Sequence, residues 1–371
     1  HIALRDRQQK DIDRKLDQVN IRFVPLTKIG RDIAFKDLVE HWGFSAIILA
    51  NGAWKDRELT IKGIKKYKNN GLIYQNDFIY WFNHKHQSDF DGNDYKIVDN
   101  AVVVGGGLAS LDVVKICMIE LVKEKLKALY NIDVDVFTIE KLGIDKVLDE
   151  YNINYEDLNL KGATLVYRRT AADMPLKDAK DNLPESIEKA RNISEKLLNK
   201  YIEKFKFNFK PLSIPINYIE ENGQFKGLEI QKVELKNGKI NPIDGVTEKI
   251  HTEMLISSIG SLPEQIEGLQ YEWSALKMRE NVDYHVYGYD NVFAIGNAIT
   301  GRGNIQDSKQ HGKKMTMKII DKHLTDDAFE KWLLNLNESI KNDVAQNIDS
   351  IIDKIKNRDI QPDDIIPVSY T

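Results

Sequence analysis

A chain of 371 residues is long enough for two domains with separate apolar cores, and its hydrophobic content of 42% is that of an ordinary folded protein. Its 53 basic and 57 acidic side chains are interspersed and leave a net charge of −4, which gives no electrostatic footprint for nucleic acid or an anionic membrane. The longest apolar runs, such as 46–50 and 101–104, fall far short of the roughly 20 residues a bilayer crossing needs, and they read as buried strands. The single cysteine, Cys117, leaves no internal disulfide, no Cys-x-x-Cys redox centre and no cysteine-ligated iron–sulfur cluster. A free thiol in an apolar helical run reads as a core residue. Such cysteine poverty fits the cytoplasm, the expected location. No signal peptide is visible, but the sequence begins with His and not Met, so targeting stays open.

In chain order, residues 5–19 have the spacing of an amphipathic helix, followed by a short strand at 21–24 and a second helix near 35–41. A buried strand at 46–50 ends in Asn51-Gly52-Ala53, the small residues expected where a strand meets a turn and the backbone must approach something closely. Residues 55–97 are polar and irregular, carry His84 and His86, and read as a connection between domains. From 96 to 145 the pattern is strand, glycine turn, long helix, strand, helix. A further strand at 164–167 then precedes a long helix over 183–205. Alternation of this kind implies a parallel sheet covered on both faces. Segments 214–219, 227–235 and 251–259, with the turn Lys236-Asn237-Gly238, imply a small antiparallel layer. A strand at 292–295, a glycine-rich loop at 296–303 and a helix over 305–323 follow. The tail, 326–371, has Ile and Leu at helical spacing and is expected to be helical. No internal repeat is present.

The strand at 101–104 runs into Gly105-Gly106-Gly107-Leu108-Ala109-Ser110 and then a helix, which is the dinucleotide-binding turn G-x-G-x-x-[G/A/S] in its strand-to-helix setting. Gly105 permits the tight turn, Gly107 lets a pyrophosphate approach the backbone, and small Ser110 lets helix and strand pack closely. The amino end of the helix then offers N–H groups and a positive dipole end to phosphates. The strand at 164–167 is followed by Arg168-Arg169. Where an NAD enzyme carries a carboxylate for the ribose 2'-hydroxyl, two guanidinium groups suit a 2'-phosphate and favour NADP. A competing reading takes 134–137 as the second strand, leaves Glu140 as the ribose-binding acid and implies NAD. Its span from Gly107 exceeds the usual ~20 residues, although the span to Arg168 is longer still and requires an inserted element.

Gly30-Arg31-Asp32-Ile33, the run 46–53, the Gly105 turn, Tyr167-Arg168-Arg169 with Met174-Pro175, and Val292-Phe293-Ala294-Ile295-Gly296-Asn297 occur in one order. In that order they resemble the flavoproteins that include the glutamate synthase small subunit and the adrenodoxin-reductase-type ferredoxin-NADP reductases. The likeness covers roughly residues 1–322. The long stretch between Gly107 and Arg168 is similar to the adrenodoxin reductase branch, and Tyr-Arg-Arg with Met-Pro to the glutamate synthase branch.

The resemblance implies an α/β fold of two dinucleotide-binding, Rossmann-like three-layer domains and a C-terminal helical tail. The NADP domain, 97–270, would be inserted into an incomplete FAD domain, 1–96 with 271–325, and the tail would be 326–371. The family's first glycine fingerprint, for the ADP half of FAD, is absent, so the sequence is expected to begin just after it, as a piece of a longer protein or as one that has lost that element. The implied cofactors are FAD and NADP. Flavin contacts would come from Asn51, Gly52, Ala53, Gly296 and Asn297, and from Gly303, Asn304 and Ile305 at a helix amino end near the pyrimidine edge. Asn51 stands where the family usually has Thr, and Asn297 where it often has Asp. The carboxylate that the family often places shortly after the arginine pair has no clear counterpart among Asp178, Lys180 and Asp181. Arg302 and residues 309–311 could meet an acidic electron acceptor, although a solvated face is the favoured reading. The implied activity is an NADPH-dependent flavoprotein oxidoreductase that passes hydride from NADPH to FAD and electrons onward to a small acceptor or a partner, a ferredoxin-like protein or a larger enzyme subunit. The alternatives are a non-catalytic NADP-binding module, and a flavin-free NAD-dependent dehydrogenase, for which no acid or base stands out. No metal site is expected from the histidine spacing.

Overall fold

The structure is a computed structural model that describes residues 10–272, 275–300, 305–325 and 338–357. The chain forms two compact units, residues 1–55 with 261–371 and residues 56–260.

In chain order, residues 10–16 are helical. Segment 21–24, expected as a strand, joins no sheet among the described residues, and Ile21 and Phe23 are 38% and 60% exposed. A strand needs a neighbour for its backbone groups, and an alternating sequence does not supply one. Helix α1 (Phe35–Glu40) and strand β1 (Ile47–Leu49) fall where the periodicity puts them. Segment 56–96 departs from expectation. It supplies strand β2 (Leu72–Tyr74), buried at every residue, and helix α2 (Gln75–His84). These belong to the second unit, so the division of the chain falls near residue 55, well before residue 97.

Strand β3 (Val102–Gly105) and the 23-residue helix α3 (Leu108–Tyr130) follow. The expected strand at 134–137 is instead the start of helix α4 (Val136–Leu142), with α5 (Ile144–Asp149) after it. The cause is local: the Asp135 carboxylate accepts from the N–H groups of Phe137 at 2.9 Å and Thr138 at 3.0 Å, an N-cap that outweighs the β-branched composition. Then come β4 (Thr164–Val166), α6 (Pro184–Phe205) and β5 (Asn208–Lys210). Pro184 starts α6, where the missing N–H costs nothing. The antiparallel layer is β6 (Ser213–Glu221), β7 (Gln224–Lys236) and β8 (Lys239–His251). β9 (Leu255–Ser258), expected in that layer, joins the parallel sheet. In the first unit, β10 (Met278–Arg279), β11 (Val282–Val286), β12 (Val292–Ala294), α7 (Asn297–Thr300), α8 (Ile305–His323) and α9 (Glu338–Lys356) complete the chain. The tail therefore contains a helix, while 326–337 and 358–371 lie outside the described residues.

The second unit has a five-stranded sheet in the order β2-β9-β3-β4-β5, with every adjacent pair parallel. Successive side chains take opposite faces. Val103, Leu165, Ile73 and Ile256 join the core under α2 to α6, with Leu111, Met118, Ile139, Leu148 and Leu198. Val102, Val104, Val166, Leu72 and Leu255 pack against Phe225, Leu228 and Ile230 of the antiparallel layer. The result is three layers: helices, parallel sheet, antiparallel sheet. Each fully buried Val, Leu or Ile contributes about 1.5–3 kcal/mol, so a one-residue slip of β3 would exchange both faces at large cost. Cys117 is fully buried in the helical layer, and burial pushes its thiol well above the usual range.

The first unit has a four-stranded sheet, β1-β12-β11-β10, in which β1 and β12 run parallel and the other pairs antiparallel. Phe35, Ile47, Leu49, Val286, Val292 and Ala294 form its core. Phe293 and Tyr284 pack on Met315 and Ile319 of α8.

Candidate functional site

The glycine turn lies at the carboxyl end of β3, and its glycines meet different demands. A methyl group on Gly105 would collide with the carbonyl oxygen of Ser258 and lie 2.7 Å from Cβ of Ser110. The close pairing of β3 with β9 and the packing of α3 on the strand thus both require glycine here. A methyl on Gly106 would run into the ring of Tyr167. At Gly107 nothing lies within 4 Å of where a Cβ would be, and the backbone is ordinary and extended, φ −91°. Its Cβ position faces open space.

Helix α3 starts directly after Gly107, with no side-chain cap and no acidic residue in its first turn. Ser110 is fully buried and donates its hydroxyl back to the Gly107 carbonyl at 2.6 Å, so this hydroxyl does not compete for a ligand. Leu108 and Ala109 lead the helix with their side chains half-buried. The amino end of a long helix, faced by an open glycine and free of local carboxylates, is suited to a diphosphate.

The paired arginines follow the next strand of the sheet, β4. Tyr167 is buried, donates its hydroxyl to the Asp173 carbonyl at 2.9 Å and covers Gly106. Arg168 is exposed and Arg169 half-buried, and neither guanidinium has a hydrogen-bond or ion-pair partner among the described residues. Burial raises the Tyr167 hydroxyl, while the charges of Arg168 and Arg169 oppose that rise. Glu140, the acid of the competing reading, sits on helix α4 and binds Lys115 at 2.8 Å. Lys115 also holds Asp112 at 2.7 Å, and its side chain is only 6% exposed. Burial alone would lower this ammonium, but Asp112 and Glu140 together hold it above its usual value. Glu140 is therefore engaged in a partly buried ionic cluster around Lys115 of α3. The inserted element that the long span requires is the pair α4 and α5.

Three side chains escaped the sequence reading. Tyr167 was noted only as part of a motif; its role as the cover of Gly106 is invisible without the fold. The buried Gln75 accepts the Ser258 hydroxyl at 2.5 Å beside the glycine turn. Asp56 lies against the start of α2, where the Asn76 N–H reaches both its oxygens at 3.3 Å. Burial pushes its carboxyl up to about 7.

In the first unit, the parallel pairing of β1 with β12 brings Asn51, Gly52 and Ala53 to the same sheet end as Gly296 and Asn297; the Ile295 N–H donates to the Leu49 carbonyl at 2.9 Å. Gly52 is left-handed, φ +64°, with nothing within 4 Å of where a Cβ would be. Gly296, φ +69°, donates its N–H to Nδ1 of His311 at 3.1 Å, so His311 is occupied by this loop and is not a bare surface cation. Asn297 begins α7, and Ile305 begins α8. Arg302, Gly303 and Asn304 lie outside the described residues. Gly30 to Ile33 forms a turn in which Asp32 accepts the Lys28 N–H at 2.7 Å. Among the described residues there is no group of three or more His, Cys, Asp or Glu that could hold a metal ion. Among them, too, no helix is long and apolar enough to cross a membrane.

These two sheets, each with a glycine-bearing turn at the carboxyl end of parallel strands, define a mixed α/β protein of two units. Its fold is that of Mycobacterium tuberculosis FprA, solved in complex with NADPH: TM-score 0.62 at 18% identity, over 92% of this chain and 77% of that one. In sequence it is similar to the mitochondrial NADPH:adrenodoxin oxidoreductase of Arabidopsis thaliana, 22% identical over 275 residues, 67% of this chain and 56% of the relative. It is also similar to the glutamate synthase [NADPH] small chain of Bacillus subtilis, 32% identical over 120 residues, 31% of this chain and 22% of that one. The matched region thus spans just over half of the first relative and less than a quarter of the second. No family model matches the chain. The likeness to the adrenodoxin reductase and glutamate synthase small-chain flavoproteins, carried by the ordered motifs, is matched by these relatives and by the fold.

Proposed function

We propose that this chain is the pyridine-nucleotide half, with part of the flavin half, of an NADPH-dependent FAD oxidoreductase. In this reading Gly105, Gly106 and Gly107 with the N–H groups of Leu108, Ala109 and Ser110 receive the diphosphate of NADPH, and Arg168 and Arg169 receive its 2'-phosphate. The observation that carries the reading is the pair of guanidiniums at the end of β4, without a hydrogen-bond or ion-pair partner among the described residues, in the strand next to the one that ends at the glycine turn with its open Gly107. Two adjacent guanidiniums without an acid remain available to an anion, and their planar fork suits phosphate. The residues of the glycine turn suit a dinucleotide: of its three glycines, Gly107 alone has free space where a Cβ would be, and it is the one the diphosphate would pass.

FAD would be held by Asn51, Gly52 and Ala53 with Gly296 and Asn297, and Gly303, Asn304 and Ile305 would extend that site. When bound, the flavin supplies a hydride acceptor and a route for single electrons to a protein acceptor, ferredoxin-like or a larger enzyme subunit. The chain's own contribution is positioning: a fixed turn for the diphosphate, fixed charges for the 2'-phosphate, and small residues where backbone meets cofactor. The test is optical. The purified protein should carry flavin absorbance near ~450 nm that bleaches on anaerobic addition of NADPH.

A second reading has its own support. The glycine turn and the arginine pair both lie within the unit 56–260, so that unit would bind NADP whether or not flavin is held. A colourless protein that still binds NADP would favour this module over the oxidoreductase.

A further inference from the structure

The loop that presents the arginine pair also contains a carboxylate, and a third guanidinium occupies it. Asp173 closes the short helical turn after Arg169. One of its carboxylate oxygens receives Nη1 of Arg191 from helix α6, and the other receives the Thr170 hydroxyl. Its carbonyl accepts from the Tyr167 hydroxyl at 2.9 Å. The Asp173 side chain is 10% exposed, against 47% for that of Arg191. Arg168 and Arg169, a few residues away in the same loop, have no hydrogen-bond or ion-pair partner among the described residues. Tyr167 links Asp173 to the pair: it directly precedes the pair in the chain and its hydroxyl reaches the Asp173 carbonyl.

A nearly buried carboxylate with an unsatisfied charge takes the nearest cation. Without Arg191, the guanidiniums left in the loop of Asp173 are Arg168 and Arg169. We propose that Arg191 is a specificity-determining positioning residue: by holding Asp173 it keeps the loop's own acid off Arg168 and Arg169, leaving both for a 2'-phosphate. Arg191 contacts no cofactor in this scheme. It acts by removing an internal competitor, so its effect falls on ligands that carry the 2'-phosphate and spares those that do not. The inference rests on the reading that Arg168 and Arg169 bind that phosphate.

The test measures dissociation constants of NADP+ and NAD+ by calorimetry for the parent protein and four variants. Arg191→Ala is expected to weaken NADP+ about tenfold, the loss of one charge-assisted contact, and to leave NAD+ within about twofold. Arg191→Lys, which keeps the charge, should stay within about threefold of the parent for both. Adding Asp173→Asn to Arg191→Ala removes the competitor and should restore NADP+ to within about threefold. Arg168→Ala with Arg169→Ala should abolish the NADP+ preference. If Arg191→Ala weakens NADP+ and NAD+ alike, or if the double variant stays as weak as the single one, Arg191 is only structural and the proposal is overturned while the arginine pair keeps its role. If removing the pair leaves the NADP+ to NAD+ ratio unchanged, the 2'-phosphate reading fails and the proposal with it.

Discussion

Tyr167 packs on Gly106: the ring stands where a side chain at Gly106 would have to be. The strand end that carries Arg168 and Arg169 and the Gly105 turn are therefore one packed piece, further fixed by the Tyr167 N–H on the Lys210 carbonyl and the Ser213 N–H on the Tyr167 carbonyl. Gly106→Ala should force the ring out and destabilise the protein by about 1–3 kcal/mol, the usual cost of overpacking. Combined with Tyr167→Ala, which carries its own larger cost, it should give a total loss in urea unfolding smaller than the sum of the two single losses. Additive losses would mean that the ring does not set the cost.

Gly107 offers the contrasting case. Its conformation suits any residue and its Cβ position is open, so Gly107→Ala should leave stability unchanged or raise it by about 0.4–1 kcal/mol. The methyl would stand in the path of the diphosphate, and NADP+ binding should weaken by more than about tenfold. A variant that binds as well as the parent would place the diphosphate elsewhere.

How much of this was legible beforehand follows from the range of the forces involved. The turn at Gly105 could be read because its signals are local, a strand of valines, three glycines and an apolar helix. The hairpin at Asn237-Gly238 was equally local. Strand β2 went unread since it is only three residues long, and its neighbour β9 is far away in sequence. The strand expected at 134–137 had its contrary signal in view: Asp135 followed by Thr138 is a helix start. The Arg pair was visible; that it lacks acids while Asp173 is held by Arg191 required the fold.

Asp56 gives the protein a pH dependence. Burial raises its carboxyl from 3.8 to about 7, and the Asn76 N–H bonds at 3.3 Å do not offset this. The folded state keeps the proton where the unfolded chain has released it. The associated stability is therefore full below the unfolded value and is lost as pH rises through the folded one. Asp56→Asn should flatten the dependence of melting temperature on pH between about 4 and 7 and melt above the parent near about pH 8. Parallel profiles for the two proteins would contradict this assignment.

Lys115 joins Asp112 on α3 to Glu140 on α4. Lys115→Met removes the ammonium that these two partly exposed carboxylates share and should cost about 1–3 kcal/mol in urea unfolding. Replacing all three by apolar residues of matched volume should recover most of that loss, since the penalty comes from uncompensated charge. A mild effect of the single change would show that water reaches the cluster.

The central claim is that the Gly105 turn and the arginine pair hold one NADP molecule. A crystal structure of the protein soaked with NADP+ tests it most directly. We expect the diphosphate beside Gly107, on the N–H groups of Leu108 and Ala109, and the 2'-phosphate within hydrogen-bond reach of Arg168 and Arg169. A turn without diphosphate, or a cofactor whose adenosine points away from both arginines, would contradict the account.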